Sequence, residues 1–304
     1  SLKSINLSNL NLSSLSSMDY MFYNCSSLES INMSYIDISI VNSIYNMFEL
    51  CESLKFINLS HSNASSLKYM NNIIPGISSL ESIDLSYFKA SSVYSLSSVF
   101  NGYGFIKKID LSNFDASSVT KMDNMFYGCY SLEFINLSNL KTHEEYSTNY
   151  MFYNCSSLKS YDFSILNLTL LTDMSYMFSQ CVSLESVNLA NLKISNAYSM
   201  DYMFYNCSSL ESIYLTNLKT ANVLSMYYMF YNCTLIKTID MSYLDLSSIT
   251  SMYYMFDQCD SLKFINFSNI NASSLTSMSS IFSGISSLEY VDLSYFNASS
   301  VSSL

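Results

Sequence analysis

The cysteines of this chain are Cys25, Cys51, Cys129, Cys155, Cys181, Cys207, Cys233 and Cys259, so every gap is 26 residues except one of 78, which is three times 26. Ile77, Tyr103 and Ile285 occupy the slots where the thiol is missing, and no insertion or deletion interrupts the count. A fixed period of this length identifies a repeat array. One 26-residue unit cannot bury its own apolar face, whereas coil stacked on coil makes a continuous core. The chain is therefore read by column.

Three residues before the cysteine slot stands a phenylalanine in almost every unit, as at Phe22, Phe126, Phe204 and Phe256, with Ile74 the exception. Met18, Met21, Phe22 and Cys25, like Met200, Met203, Phe204 and Cys207, follow the i, i+3, i+4, i+7 spacing of a helix with one buried face. Ser118 and Thr120 supply N-caps. The spacing predicts about two helical turns per repeat. After the cysteine comes L-x-x-I-x-L-S, as in Leu132, Ile135 and Leu137, whose alternation reads as a strand with one buried face. With only 5 Gly and 1 Pro, the turns must rely on Ser, Asn and Asp. The column beginning Lys3, Glu29, Lys55, Glu81, Lys107, Glu133 alternates in sign along most of the array. An in-register parallel stack favours that order, because it sets these side chains beside one another.

Thirteen basic residues, none of them Arg, stand against 24 acidic ones, a net charge of −11. That balance argues against a nucleic-acid groove and against a polybasic membrane anchor. His61 and His143 are the only histidines, too few and too isolated for a histidine metal site or general-base chemistry. Apolar runs are cut every two or three residues by Ser or Asn, so none approaches the ~20 needed to span a bilayer. The opening SLKSINLSNL has neither the basic start nor the apolar centre of a signal peptide and reads as the middle of a unit, so the expectation is a fragment of a longer chain.

The words M-x-x-M-F-x-x-C-x-S-L-x-x-I-x-L-S-x-L/F, whole from Met122 to Leu140 and in large part from Met203 to Leu218, resemble the BspA-like leucine-rich-repeat surface proteins in their 26-residue version. The likeness covers essentially the whole chain. It implies a leucine-rich-repeat-like solenoid on cell surfaces of bacteria, some protists or large viruses, linked to adhesion or host contact, and it carries no catalytic residue to transfer. Where ordinary leucine-rich repeats place an Asn, this chain has Phe88, Phe114, Leu140, Leu192, Leu218 or Phe296, so an apolar stack is expected in place of an asparagine ladder.

The eight cysteines admit disulfides between neighbouring coils, but the Ile77 and Ile285 replacements mark an apolar slot and favour buried free thiols. Cys25, Cys51, Cys129, Cys155, Cys181, Cys207, Cys233 and Cys259 are accordingly expected to form a structural core ladder. Metal binding lacks the C-x-x-C spacing. The row Asn6, Asn32, Asn58, Asp84, Asp110 and onward, with Ser8, Ser34, Ser60 two residues later, either recognises glycans through repeated hydrogen bonds or is satisfied by its own neighbours and water. Tyr150, Tyr176, Tyr202, Tyr228 and Tyr254 form one column, and Tyr153, Tyr205 and Tyr231 lie three residues further on, on the same outward helix side. They are the candidate partner-binding residues, because amphipathic rings with few rotors suit interfaces, while the plainer alternative is ring stacking that covers the helices. N-x-S/T sequons such as Asn24, Asn63, Asn154, Asn206, Asn232, Asn271 and Asn297 matter only in a secreted eukaryotic chain. His61 and His143 read as solvated loop residues. The stretch 141–148, where Glu145 and Thr148 break the apolar columns, reads as an outward bulge, and 71–104, with Pro75, Gly76 and Gly102, as a second degenerate region.

The expected architecture is α/β: one array over 1–304 of about eleven and a half coils, each with a parallel strand and a short helix. The expected function is non-enzymatic, a surface module for adhesion or for protein or glycan contact. A self-associating fibre subunit or spacer is the alternative. No cofactor or metal is expected, and the columns of identical Ser offer no unique nucleophile. The expected location is extracellular or at a cell surface, with a virion surface also open.

Overall fold

The computed structural model describes residues 2–70, 74, 77–140, 146–163 and 171–303. His143, Glu145, Asn71, Pro75, Gly76 and Ser164 lie outside the described residues. The chain forms two compact units, Ser1–Glu144 and Glu145–Leu304.

The first unit carries a six-stranded parallel sheet in chain order: β1 (Ser4–Asn6), β2 (Ser30–Asn32), β3 (Phe56–Asn58), β4 (Ser82–Asp84), β5 (Lys108–Asp110) and β6 (Phe134–Asn136). Every pairing is offset by one period, so Ile5, Ile31, Ile57, Ile83, Ile109 and Ile135 lie side by side. From β2 to β6 that central isoleucine is buried while its flanking residues reach solvent, the period-two pattern of a half-buried strand. The second unit repeats the scheme. β7 (Tyr146–Ser147) pairs with β9 (Leu171–Asp173), β8 (Ser160–Asp162) with β10 (Ser186–Asn188), and β10 with β11 (Ser212–Tyr214). β12 (Thr238–Asp240), β13 (Phe264–Asn266) and β14 (Tyr290–Asp292) make a further sheet. Among the described residues the one register irregularity falls between Tyr146 and Ser147, beside the stretch where the sequence loses its columns. Thr148 does not bulge outward: it is buried and its hydroxyl donates to the Asp173 carbonyl at 3.2 Å.

The expected short helix is absent among the described residues, and the segment from the methionine to the cysteine is a run of overlapping turns. In the first coil the N–H groups of Met21, Tyr23 and Cys25 donate three residues back, to Met18, Tyr20 and Phe22. Those of Met18, Tyr20, Phe22 and Asn24 donate instead to the next coil, at Ser43, Tyr45, Met47 and Glu49. Half of the backbone therefore bonds along the stack, which a helix cannot do. Tyr20 and Asn24, at φ 56° and 58°, are the third residues of their turns, and a positive φ there is the type II geometry that breaks helical winding. The turns advance by the same three or four residues as a helix, so they bury the same columns and imitate its spacing.

Those columns fill the core. Phe rings stack coil on coil, 5.3 Å apart for Phe152 and Phe178 and 5.5 Å for Phe204 and Phe230, with planes within 6°. Phe88 and Phe114 are fully buried and stacked at 5.8 Å in the slot where ordinary leucine-rich repeats carry asparagine, so an apolar file stands there.

The cysteines occupy one slot of successive coils. Cys51, Cys129, Cys155, Cys181, Cys207, Cys233 and Cys259 are buried, and Cys25 is half-buried. All eight are free thiols. The S–H groups of Cys51, Cys181, Cys207 and Cys259 donate to the phenylalanine carbonyl of the preceding coil, Cys207 to Phe178 at 3.1 Å and Cys259 to Phe230 at 3.0 Å. Cys155 is fixed in the same slot through its backbone: its N–H donates to the Phe152 carbonyl and its carbonyl accepts the Leu158 N–H, both at 3.1 Å. Outside the core, the charge column closes into ion pairs: Lys3–Glu29 at 2.8 Å, Lys107–Glu81 at 3.3 Å, Lys159–Glu185 at 3.6 Å and Lys263–Glu289 at 2.7 Å. All are exposed and contribute register more than stability.

Candidate interaction surface

Tyr150, Tyr176, Tyr202, Tyr228 and Tyr254 each occupy the third position of a turn with φ between 51° and 58°. A bulky side chain there costs about 1 kcal/mol or more relative to an extended or helical backbone. Ring stacking offsets that cost. The centroids are 4.4 Å apart for Tyr150–Tyr176, 4.5 Å for Tyr176–Tyr202, 5.0 Å for Tyr202–Tyr228 and 5.1 Å for Tyr228–Tyr254, with planes within 16°. Each such pair adds about 0.5–1.5 kcal/mol beyond its buried area. The rings are half-buried: their faces are closed by their neighbours while their edges form a continuous outward strip.

Tyr153, Tyr205 and Tyr231 do share this side, though on turns and not on a helix. Tyr153 meets Tyr150 edge-on at 5.5 Å, Tyr205 lies 5.7 Å from Tyr202, and Tyr231 meets Tyr228 at 5.5 Å. Tyr205 and Tyr231 stack at 4.8 Å. Tyr227 and Tyr253, which the sequence reading did not single out, widen the strip from the other side, with Tyr253 at 5.6 Å from Tyr254. Burial, then the neighbouring rings, push the Tyr176 hydroxyl well above the ordinary tyrosine range, and burial first raises those of Tyr202, Tyr228 and Tyr231 as well, so these four hydroxyls keep their protons.

Two further ladders escaped the sequence reading. Asn232 Nδ2 donates to Asn206 Oδ1 at 2.7 Å, and Asn206 Nδ2 to Gln180 Oε1 at 3.1 Å, a side-chain amide chain just behind the tyrosines. Its sequence signal was the recurrence of Asn, Gln or Gly one residue before the cysteine slot. In the first unit His61 is exposed, as expected of a loop residue, yet its ring is stacked between Tyr35 and Tyr87, each at 4.5 Å.

Each member of the Asn/Asp row uses one oxygen locally where a bond is seen. Asn32 Oδ1 accepts the Ser34 N–H at 3.1 Å, Asp84 Oδ1 that of Ser86 at 2.9 Å and Asp292 Oδ1 that of Ser294 at 2.8 Å, closing the strand-end turns that glycine and proline would otherwise supply. The cysteines are equally structural: burial pushes the Cys129, Cys181 and Cys259 thiols up to about 12, far from a reactive thiolate. Among the described residues no cluster of His, Cys, Asp or Glu could hold a metal, and no helix is long and apolar enough to cross a membrane.

The chain matches, over residues 1–103, 68–188, 135–242 and 225–304, the family described as "Mycoplasma protein of unknown function, DUF285". It belongs to that family, and the BspA-like resemblance carried by the F-x-x-C-x-S-L words is upheld. No curated protein sequence matches it. Among solved structures it is similar to a leucine-rich cell surface protein from Faecalibacterium prausnitzii A2-165, at 18% identity over 96% of this chain and 79% of that one, with a TM-score of 0.44. A leucine-rich-repeat protein from Bacteroides ovatus ATCC 8483 shares 21% identity over 94% of this chain and 86% of its own, at a TM-score of 0.33. The chain of the TLR13–ssRNA13 complex shares 15% over 97% and 47%, at 0.44. At these TM-scores the likenesses carry no information about ligand or activity.

Proposed function

We propose that this chain is a non-catalytic surface repeat module, one array of 26-residue coils over 1–304, that binds a protein or glycan on another surface through the tyrosine strip of residues 150–257. It is placed at the cell surface or outside the cell. The observation that carries this reading is the file Tyr150, Tyr176, Tyr202, Tyr228 and Tyr254, five rings held in an unfavourable backbone region with their edges lined up toward solvent. Large aromatic strips of this kind mark interaction sites more often than ordinary surface. The turn slot itself does not require tyrosine, because Ser98 and Ser280 fill it at φ 60°.

That tolerance makes the test clean. The purified chain is screened against immobilised matrix proteins and a glycan array beside the triple variant Y176S/Y202S/Y228S. Binding weakened about tenfold or more supports the reading, since tyrosine hot spots each cost about 1–2 kcal/mol on truncation. Ligands retained at full affinity by the triple variant contradict it. Concentration-dependent growth in light scattering that the same triple variant abolishes would assign the strip to self-association, the fibre or spacer alternative.

A further inference from the structure

We propose that the tyrosine strip of the second unit recognises a lysine- and arginine-rich polypeptide, an inference that rests on the reading above that this strip is the binding surface. The segments that build it, 172–184, 198–210, 224–236 and 250–262, contain Asp173, Asp201, Asp257 and Asp260 and no Lys or Arg. The carboxylates are fixed among the rings. Asp201 Oδ1 accepts from the Tyr227 N–H at 2.7 Å and from the Ser225 hydroxyl, and the Tyr198 hydroxyl lies 3.4 Å from Asp173 Oδ2. Asp257 is close enough to Tyr228 and Tyr231 for its charge to be felt by both hydroxyls.

The lysines of the unit all lie outside these segments. Lys159, Lys237 and Lys263 enter strands β8, β12 and β13, where Lys159 and Lys263 are paired with Glu185 and Glu289. The backbones of Lys193 and Lys219 pair with one another at the turn that follows the strand, outside the ring-bearing segments. A surface of one sign, lined by low-polarity rings, draws and orients partners of the other sign and repels polyanions. Because stacking closes the ring faces, what a partner meets is a row of ring edges and phenolic oxygens. Long aliphatic stems ending in ammonium or guanidinium groups fit that pattern: the stem lies on the edges, and the donors reach the phenol and carboxylate oxygens.

The test measures binding of the full chain to a 20-residue Lys/Arg-rich peptide, beside a composition-matched Glu-rich peptide. Two double variants are compared, D201N/D257N on the strip and D84N/D110N on the sheet of the first unit. Both change the net charge from −11 to −11 + 2 = −9, and Asn keeps the acceptor oxygen that each turn uses, as Asn58 and Asn136 do naturally at the sheet slot. The strip variant should bind the cationic peptide about fivefold more weakly and the sheet variant within about twofold of the parent, with binding falling as salt rises. Y176S/Y202S/Y228S should also weaken it. Equal weakening by the two pairs would show diffuse charge attraction and overturn the proposal. So would no binding of the cationic peptide alongside tyrosine-dependent binding of a neutral glycan or protein, a result that leaves the broader reading standing. Absence of any tyrosine-dependent binding defeats both.

Discussion

Asn124 separates the turn geometry from the helix that its surroundings imitate. It is the third residue of the Met122–Met125 turn at φ 55°, half-buried, and the Met125 N–H closes the turn onto the Met122 carbonyl at 3.3 Å. Asn124→Gly and Asn124→Ala remove the same amide, so its loss cancels when the two variants are compared. In the left-handed region alanine is worse than glycine by about 1 kcal/mol, because its Cβ crowds the following carbonyl. Inside a helix glycine is worse than alanine by about 1 kcal/mol. The two geometries thus differ by about 2 kcal/mol and in sign. Urea unfolding followed by tyrosine fluorescence, in a chain with 27 Tyr and no Trp, reads the difference from the midpoints if the slopes agree. The glycine variant should be the more stable. An alanine variant more stable by about 1 kcal/mol would refute left-handed turns at this slot and restore the helix.

Two other outcomes follow from the core. Phe204→Ala removes a fully buried ring stacked against both Phe178 and Phe230 and should cost about 3–5 kcal/mol by the same unfolding assay, against less than about 1 kcal/mol for exposed Tyr198→Ser. The folded thiols of Cys51, at about 11, and of Cys129, Cys181 and Cys259, at about 12, hold their protons longer than the unfolded thiol near 8.5. Their contribution is therefore complete below about pH 8.5 and is lost as the pH climbs toward 12, by at most about 1.4 kcal/mol per pH unit for each thiol. Unfolding midpoints that stay flat from pH 8.5 to 10.5 would contradict that burial.

The period, the parallel register and the apolar columns were legible because each is a pattern of side-chain chemistry repeated in the chain. Lys3 beside Glu29 and Phe88 beside Phe114 follow from nothing more than stacking like slots. The conformation between Met18 and Cys25 was not legible from apolar spacing, since overlapping turns and a helix share the i, i+3, i+4, i+7 positions. The distinguishing sign lay in the polar slots: Asn24, Gly102, Gly128 and Asn154 recur where helix interiors avoid such residues, and all have positive φ. The tyrosine column was visible as a column, but its stacking, and His61 between Tyr35 and Tyr87, depend on ring orientation that spacing does not encode.

Equivalent slots of the first unit lie in straight files, one parallel strand step apart. Spin labels introduced at solvent-facing sheet positions, exposed at Ser4, Lys108 and Phe134 and half-buried at Ser30, measure it directly: S30C/K108C spans three steps, S30C/F134C four and S4C/F134C five. Dipolar distances should lengthen by about 4.8 Å with each added step, from about 14 Å to about 24 Å. Distances that fail to grow with the number of repeats between the labels would contradict the stacked solenoid.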